Sequence, residues 1–204
     1  MKLGRIVWGA ALAAGGAGIG YVALRTPDGR EFDERLFKTV NAQRGEASER
    51  FFSGVTELGS MWAAAAAAAA LAVTGRRREG GRALAGAAAT WAVMQGVKRA
   101  IDRPRPYQAD PEGTRRLIGE PSGTSWPSSH PAVLTTFTRV AARELGVGAF
   151  GRGLLTAVDA SVASSRVALG VHYPSDVASG LLFGRAIARL WPRGGRAGAR
   201  GGRG

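Results

Sequence analysis

Residues 6–24 carry no charge, and at about 1.5 Å per residue a helix of that length nearly spans a bilayer core of roughly 30 Å. Lys2 and Arg5 precede this run. A basic start followed by an apolar run fits both a membrane helix and a signal peptide, but no clean small-x-small cleavage site follows, so an uncleaved helix is expected. Five more apolar runs follow, at residues 51–74, 83–97, 131–145, 154–168 and 174–191. The second contains an unbroken alanine stretch, 63–70. Alanine is the best helix former but only weakly hydrophobic, so a buried soluble helix is the alternative there. Residues 25–50 are charged and mixed, with Leu36, Phe37 and Val40 at helical spacing, which predicts a surface helix lying along a membrane. Residues 98–129 turn polar and hold Pro104, Pro106, Pro111, Pro121 and Pro127. They read as a long ordered loop of the kind that carries function. From Arg193 the chain is Gly and Arg apart from two Ala, which reads as disorder. The expectation is an all-α, multi-pass helical bundle of about six transmembrane helices, one domain over residues 1–192 with a disordered tail at 193–204.

Charge supports this reading. The chain has 28 Lys and Arg against 15 Asp and Glu, a formal +13. With six spans and a cytoplasmic N-terminus, 15 of the basic residues fall on the inner side with only Glu79 and Glu144, and the outer side receives 13 of each sign. The whole net charge lies on one side. Total Lys and Arg are only weakly biased, but the short loops, led by Arg76, Arg77, Arg78 and Arg82, are one-sided. Both termini are therefore expected in the cytoplasm and the 98–129 loop outside, in a cell (plasma or inner) membrane. Nucleic-acid binding through the Gly-Arg tail would leave the apolar runs unexplained, and aromatics at 7% are thin for stacking bases. The tail suits anionic headgroups better. With no Cys there is no disulfide framework, thiolate metal site or cysteine nucleophile.

The two histidines, His130 and His172, both sit where an apolar helix is about to begin. Around the first, Ser128, Ser129 and Pro131 mark a helix start, where free N–H groups favour an anion. Around the second, Ser165-Arg166 precedes His172, and Asp176 follows one helical turn later, within reach of the imidazole. Lys98, Arg103 and Arg105 close the third run. Fixed cations, helix-terminal amides and two histidines describe a phosphate site, one His to attack phosphorus and one to protonate the leaving oxygen. No carboxylate cluster for Mg²⁺ accompanies them, so no metal and no cofactor is expected. Arg103 reads as either a substrate contact or a loop ion pair with Asp102 or Asp110. Asp159, seven residues before Arg166 on the same helix face, either buttresses that arginine or lies near water. Glu57 reads as structural, and the pairs Gly16/Gly20 and Gly180/Gly184 as sites of close helix contact.

Lys98, six residues, Arg105-Pro106; Pro127-Ser128-Ser129-His130; and Ser165-Arg166, five residues, His172, three residues, Asp176: in this order and spacing the motifs resemble the type 2 phosphatidic acid phosphatase family, which shares its site with vanadium haloperoxidases. The resemblance spans residues 98–176, and the flanking runs match the family's six-helix membrane core. It implies a membrane enzyme with its site at the extracytoplasmic helix ends. His172 would be the nucleophile forming a phosphohistidine, Asp176 its orienting partner and His130 the general acid. Lys98, Arg105, Ser128, Ser129 and Arg166 would hold the phosphoryl oxygens. Ser129 stands where the family usually has Gly, and its hydroxyl is expected to add a donor. The implied activity is metal-independent hydrolysis of a lipid phosphate, in first place a polyprenyl (undecaprenyl-type) diphosphate. Phosphatidic acid, phosphatidylglycerophosphate and polyprenyl-phosphosugars are the alternative substrates. A vanadate-dependent haloperoxidase and a noncatalytic lipid-phosphate binder are the other readings. Membrane lipids are the only further partners expected, and oligomeric state is left open.

Overall fold

The structure is a computed structural model describing residues 3–42 and 45–194. Lys2, Arg196, Arg200, Arg203 and the tail expected to be disordered beyond residue 194 lie outside the described residues. The described residues are helical, in the order α1 (Leu3–Arg25), α2 (Pro27–Asn41), α3 (Glu46–Thr56), a 3₁₀ turn (Glu57–Gly59), α4 (Met61–Val73), α5 (Arg77–Ala100), α6 (Pro106–Ala109), α7 (Ser129–Glu144), α8 (Ala149–Ala168) and α9 (Pro174–Leu190), with no strand among them.

Thr26 starts α2 by accepting from the Gly29 N–H at 3.1 Å, and Pro27 supplies a preset φ in the first turn. The buried stripe of α2 is Asp33, Phe37 and Asn41, spaced by four. It differs from the apolar face expected, since Leu36 remains exposed and two polar side chains turn inward. Their partners, described below, explain why.

The run at 51–74 is not one helix. α3 and α4 meet at a bend of 67°. Gly59 sits so close to α7 and α8 that a Cβ there would lie 2.8 Å from Val162 and 2.9 Å from His130. Ser60 then caps α4 by accepting from the Ala63 N–H at 3.1 Å. Among the described residues, α1 alone is by length and composition apolar enough to cross a bilayer, and the bent α3–α4 pair qualifies only if counted together. Of the later helices, α7 with 16 residues and α9 with 17 are short for a full span, and α5 and α8 are long enough but less apolar. Trp62, Val73 and Phe150 are more than four-fifths exposed, so large apolar groups cover the exterior.

The centre is built on α7, which α5 and α9 flank. Ala83 and Ala87 of α5 meet Val133, Phe137, Val140 and Ala141 of α7, together with Ala64 and Ala68 of α4. Small residues set the spacing. At Gly180 a Cβ would lie 2.4 Å from the Ser128 carbonyl oxygen, and at Gly184 2.5 Å from that of Ala132. Gly16 of α1 meets Phe183 and the Ser179 carbonyl on α9 in the same way. Because α7 and α9 carry His130 and Asp176, this spacing also sets the distance between the residues that matter chemically.

Gly180→Ala should push α9 off the α7 backbone and cost about 1–3 kcal/mol, read as a lower Tm in detergent. Gly18, with open space around its Cα, is the control: Gly18→Ala should leave Tm unchanged.

Candidate active site

Three chain segments converge at one end of the bundle: the loop after α5, the start of α7, and the turn from α8 into α9. That turn is held by Gly170, at φ +78, where a Cβ would also lie 2.5 Å from the Arg115 carbonyl oxygen. Only glycine meets both conditions. The turn brings His172 back over Arg166, whose carbonyl accepts from the Val171 and His172 N–H groups, each at 3.2 Å.

His172 is 2% exposed. The Arg105 guanidinium donates to its Nε2 at 3.1 Å. Arginine has no acceptor, so Nε2 presents a lone pair and the ring proton sits on Nδ1. Nδ1 faces Asp176 Oδ2 at 3.4 Å, a contact that orients the ring more than it binds it. Asp176, at the third position of α9, also accepts from the Tyr173 N–H at 2.9 Å, closing the helix start. Burial, followed by the charges of Arg105, Lys98 and Arg166, pushes the His172 pKa well below its usual value.

The cations expected from the sequence lie around this imidazole. Arg105 is held by the carbonyls of Gly123 and Ser122, each at 3.1 Å, and of Val171 at 2.9 Å. Lys98 donates to the Thr124 carbonyl at 2.6 Å. Arg166 donates to the Thr56 hydroxyl at 2.9 Å, while its Nε is buried with no partner among the described residues. The Ser128 and Ser129 hydroxyls at the start of α7 are likewise buried and without a partner there. Buried donors left open in this way are costly unless something completes them. All three belong to the predicted set. With the α7 amides they make up a cradle of open donors at the same end of the bundle as the His172 imidazole, and donors of this kind can receive a tetrahedral oxyanion. His130 completes the set, its ring packed against Gly59 and close enough to feel Arg166, Lys98 and Arg105.

Other expectations need correction. Arg103 pairs with neither Asp102 nor Asp110. Its Nη1 donates to Asp176 Oδ1 at 2.6 Å and its Nη2 to Asp33 Oδ2 at 2.7 Å, all three side chains buried. Asp33 in turn accepts from the Ser175 N–H at 2.8 Å, which accounts for its inward position on α2. Asn41 is inward for a similar reason, donating to the Arg115 and Ala168 carbonyls at 2.9 and 3.0 Å. Asp159 neither buttresses Arg166 nor meets water: it is fully buried and accepts from Thr138 at 3.1 Å, with Arg139 at 3.9 Å. Asp33, Ser125 and Thr56 were not singled out in the sequence. The spacing of Asp33, Phe37 and Asn41 by four was the available signal for the first, while Ser125 and Thr56 have none beyond proximity in space.

An apolar groove of about 520 Å³ lies against this cradle, lined by Met61, Trp62, Trp91, Val133 and the Ser129–His130 pair. It opens outward between α4 and α5, where Trp62 and Trp91 are exposed.

Comparison with known proteins matches residues 79–197 to the PAP2 superfamily. A decaprenylphosphoryl-5-phosphoribose phosphatase of Mycobacterium tuberculosis is 38% identical over 115 residues, 56% of this chain and 60% of that protein. The protein of the same name from Mycolicibacterium smegmatis is 36% identical over 131 residues, 64% of this chain and 68% of its own length. The chain thus spans about three-fifths of the first of these relatives. Two crystal structures share the fold at 22% identity. The PAP2-type phosphatidylglycerolphosphate phosphatase of Bacillus subtilis has a TM-score of 0.70, covering 92% of each chain. LpxE of Aquifex aeolicus has a TM-score of 0.69, covering 76% of this chain and 92% of its own.

Two outcomes follow from the site's electrostatics. Arg103→Ala strands two buried carboxylates and should cost about 3–5 kcal/mol, read as a large fall in Tm in detergent. An unchanged Tm would mean that the carboxylates are hydrated. His172 behaves oppositely to a stabilised cation. Above about pH 6.5 it is neutral folded and unfolded, whereas below that the unfolded chain takes a proton the folded site refuses, so stability falls with pH. The Tm of His172→Asn should therefore decline less between pH 6.5 and 5 than that of the parent.

Proposed function

The chain belongs to the PAP2 superfamily, and from that premise we propose that it is a membrane phosphatase hydrolysing a lipid-linked phosphate without a metal, through a phosphohistidine. The observation that carries the reading is the His172 imidazole, oriented between Arg105 and Asp176 at the same end of the bundle as buried donors that lack partners among the described residues. Substrate phosphate entering the cradle completes Ser128, Ser129 and the Arg166 Nε. It also draws the Arg105 guanidinium from Nε2 to a phosphoryl oxygen, which frees the lone pair for attack. His172 Nε2 then bonds to phosphorus as the ester P–O bond breaks, and His130, which takes up a proton once the phosphate's negative charge offsets Arg166, Lys98 and Arg105, gives that proton to the leaving oxygen. Asp176 holds the ring and stabilises the charge it gains. In the second step His130 takes a proton from water, the water oxygen bonds to phosphorus, and the P–N bond breaks to release phosphate. Lys98, Arg105 and Arg166 hold the equatorial charge throughout. Asp176 and Asp33 are both engaged by Arg103, so neither is free to gather Mg²⁺.

The apolar groove beside His130 suits a long hydrocarbon chain and supports a lipid substrate. Of the substrates considered, the names of the mycobacterial relatives favour a polyprenylphosphoryl sugar phosphate over the undecaprenyl-type diphosphate. The bundle would cross a cell membrane about six times over residues 1–192, with the cradle on the extracytoplasmic side and Arg76 to Arg82 in the cytoplasm.

A phosphate-release panel on purified protein should show turnover of polyprenyl-linked phosphates above phosphatidic acid and phosphatidylglycerophosphate, inhibition by vanadate and indifference to EDTA. His130→Ala should lower kcat about 10²–10⁴-fold. EDTA loss restored by Mg²⁺ would refute the metal-free step. For sidedness, Cys introduced at exposed Glu112 should react with an impermeant thiol reagent in intact cells, and Cys at Gly81 should not. The reverse pattern would invert the topology.

A further inference from the structure

The end of the bundle opposite the histidines holds a second concentration of charge. A pocket of about 370 Å³ is lined by Arg5 of α1, Arg139 and Arg143 of α7, Arg185 and Arg189 of α9, and Arg193 just beyond it. Arg143 lies 13 residues along α7 from His130, about 20 Å at 1.5 Å per residue, so the two sites are separate.

Part of this cluster has a structural explanation. Arg5 donates to the carbonyls of Arg189, at 2.8 and 3.1 Å, and Trp191, at 2.7 Å; Arg143 donates to those of Ala188 and Trp191. Both cap the C-terminal end of α9, where positive charge is favourable. The remainder is only partly neutralised among the described residues, although Arg139 also donates to the Thr156 hydroxyl at 2.8 Å. Among the described residues no acidic side chain lines the pocket. Glu144 is shared by Arg143 and Arg82, and Asp159 lies 3.9 Å from Arg139, whose Nε is buried without a hydrogen bond. Among the described residues neither Arg185 nor Arg193 has a carboxylate within ion-pair distance. Six guanidinium groups around one cavity repel one another, and a bound anion of more than one charge contact removes that cost.

The surroundings select the kind of anion. Arg189 lies over the Trp8 ring, 5.9 Å from its centroid, and Trp8 is 61% exposed, with Ile6 and Val7 beside it also exposed. An outward tryptophan beside arginines marks the headgroup level of a bilayer, with apolar side chains continuing along the same helix. Leu12 adds an apolar wall to the pocket itself. A soluble phosphate would use the cations and leave this flank idle, whereas an anionic phospholipid uses both.

We propose that this pocket binds the phosphodiester headgroup of an anionic phospholipid, whose acyl chains lie along the exposed face of α1. The site is distinct from the catalytic cradle and does not depend on the substrate assigned there. Its occupant ties the start of α1 to the ends of α7 and α9, and so stabilises the bundle from the far side.

The test is thermal unfolding of the full chain in neutral detergent with added dioleoylphosphatidylglycerol, dioleoylphosphatidylcholine or inorganic phosphate, alongside native mass spectrometry for retained lipid. Phosphatidylglycerol should raise Tm in a saturable way and be retained; phosphatidylcholine should do neither. Arg185→Gln/Arg189→Gln, which leaves the α9 caps in place, should weaken the apparent phosphatidylglycerol affinity at least tenfold while retaining hydrolysis of a short soluble phosphate monoester. Equal shifts with both lipids, or an undiminished response in the double variant, would overturn the proposal. A shift of the same size with inorganic phosphate at matched concentration would assign the pocket to a soluble anion and overturn the lipid reading. Because no arm requires turnover of the physiological substrate, a wrong substrate assignment leaves this result intact.

Discussion

Asp176 is the group on which the site depends. It is fully buried, and an isolated carboxylate in such a place costs several kcal/mol, so its partners are obligatory. Arg103 neutralises it, Ser125 and the Tyr173 N–H donate to it, and the His172 ring is aimed by it. Its own carbonyl accepts from the Ser128 N–H at 3.1 Å, which pins the start of α7. One residue therefore links the loop after α5, the beginning of α7 and the turn into α9. Through Arg103 and Asp33 the link continues to α2, so the amphipathic helix becomes part of the support for the imidazole rather than a cover lying beside it.

The two ends of the bundle treat positive charge differently. Around His172, Arg105 is held by main-chain carbonyls, Arg166 by the Thr56 hydroxyl and Arg103 by two carboxylates. Under the proposed mechanism, cations fixed in this way stabilise charge without having to reorganise. The Arg105 guanidinium meets the His172 lone pair at 3.1 Å, so the resting site is satisfied locally; under the proposed mechanism a phosphoryl group competes for that guanidinium and frees the nitrogen. At the other end the arginines surround a cavity where Glu144 and Asp159 offset only part of the charge, and among the described residues Arg185 and Arg193 have no carboxylate within ion-pair distance.

Much of this was readable in the sequence because it is local in the chain. His172 and Asp176 are one turn apart, Ser128 to Pro131 carries its own helix-start signal, and the apolar runs at 6–24 and 83–97 fall inside α1 and α5. What escaped is long-range. The partner of Arg103 lies 70 residues earlier at Asp33 and 73 later at Asp176, and no spacing rule connects them. The break at Gly59 inside an apolar run is set by the close approach of Val162 and His130, which only the packed structure supplies. Asp159 shares the helix face of Arg166 by spacing, but α7 offers Thr138 and Arg139 closer to hand, so tertiary contact decided against the intrahelical pairing.

The central claim is that His172 carries the phosphoryl group. In His130→Ala both steps lose their proton carrier, but a leaving group that needs no protonation spares the first, so brief exposure to ³²P-labelled p-nitrophenyl phosphate should trap label on the protein. The account predicts an acid-labile, alkali-stable phosphoramidate that peptide mapping places on His172, absent from His130→Ala/His172→Asn. Alkali-labile label, or label on any other residue, would contradict it.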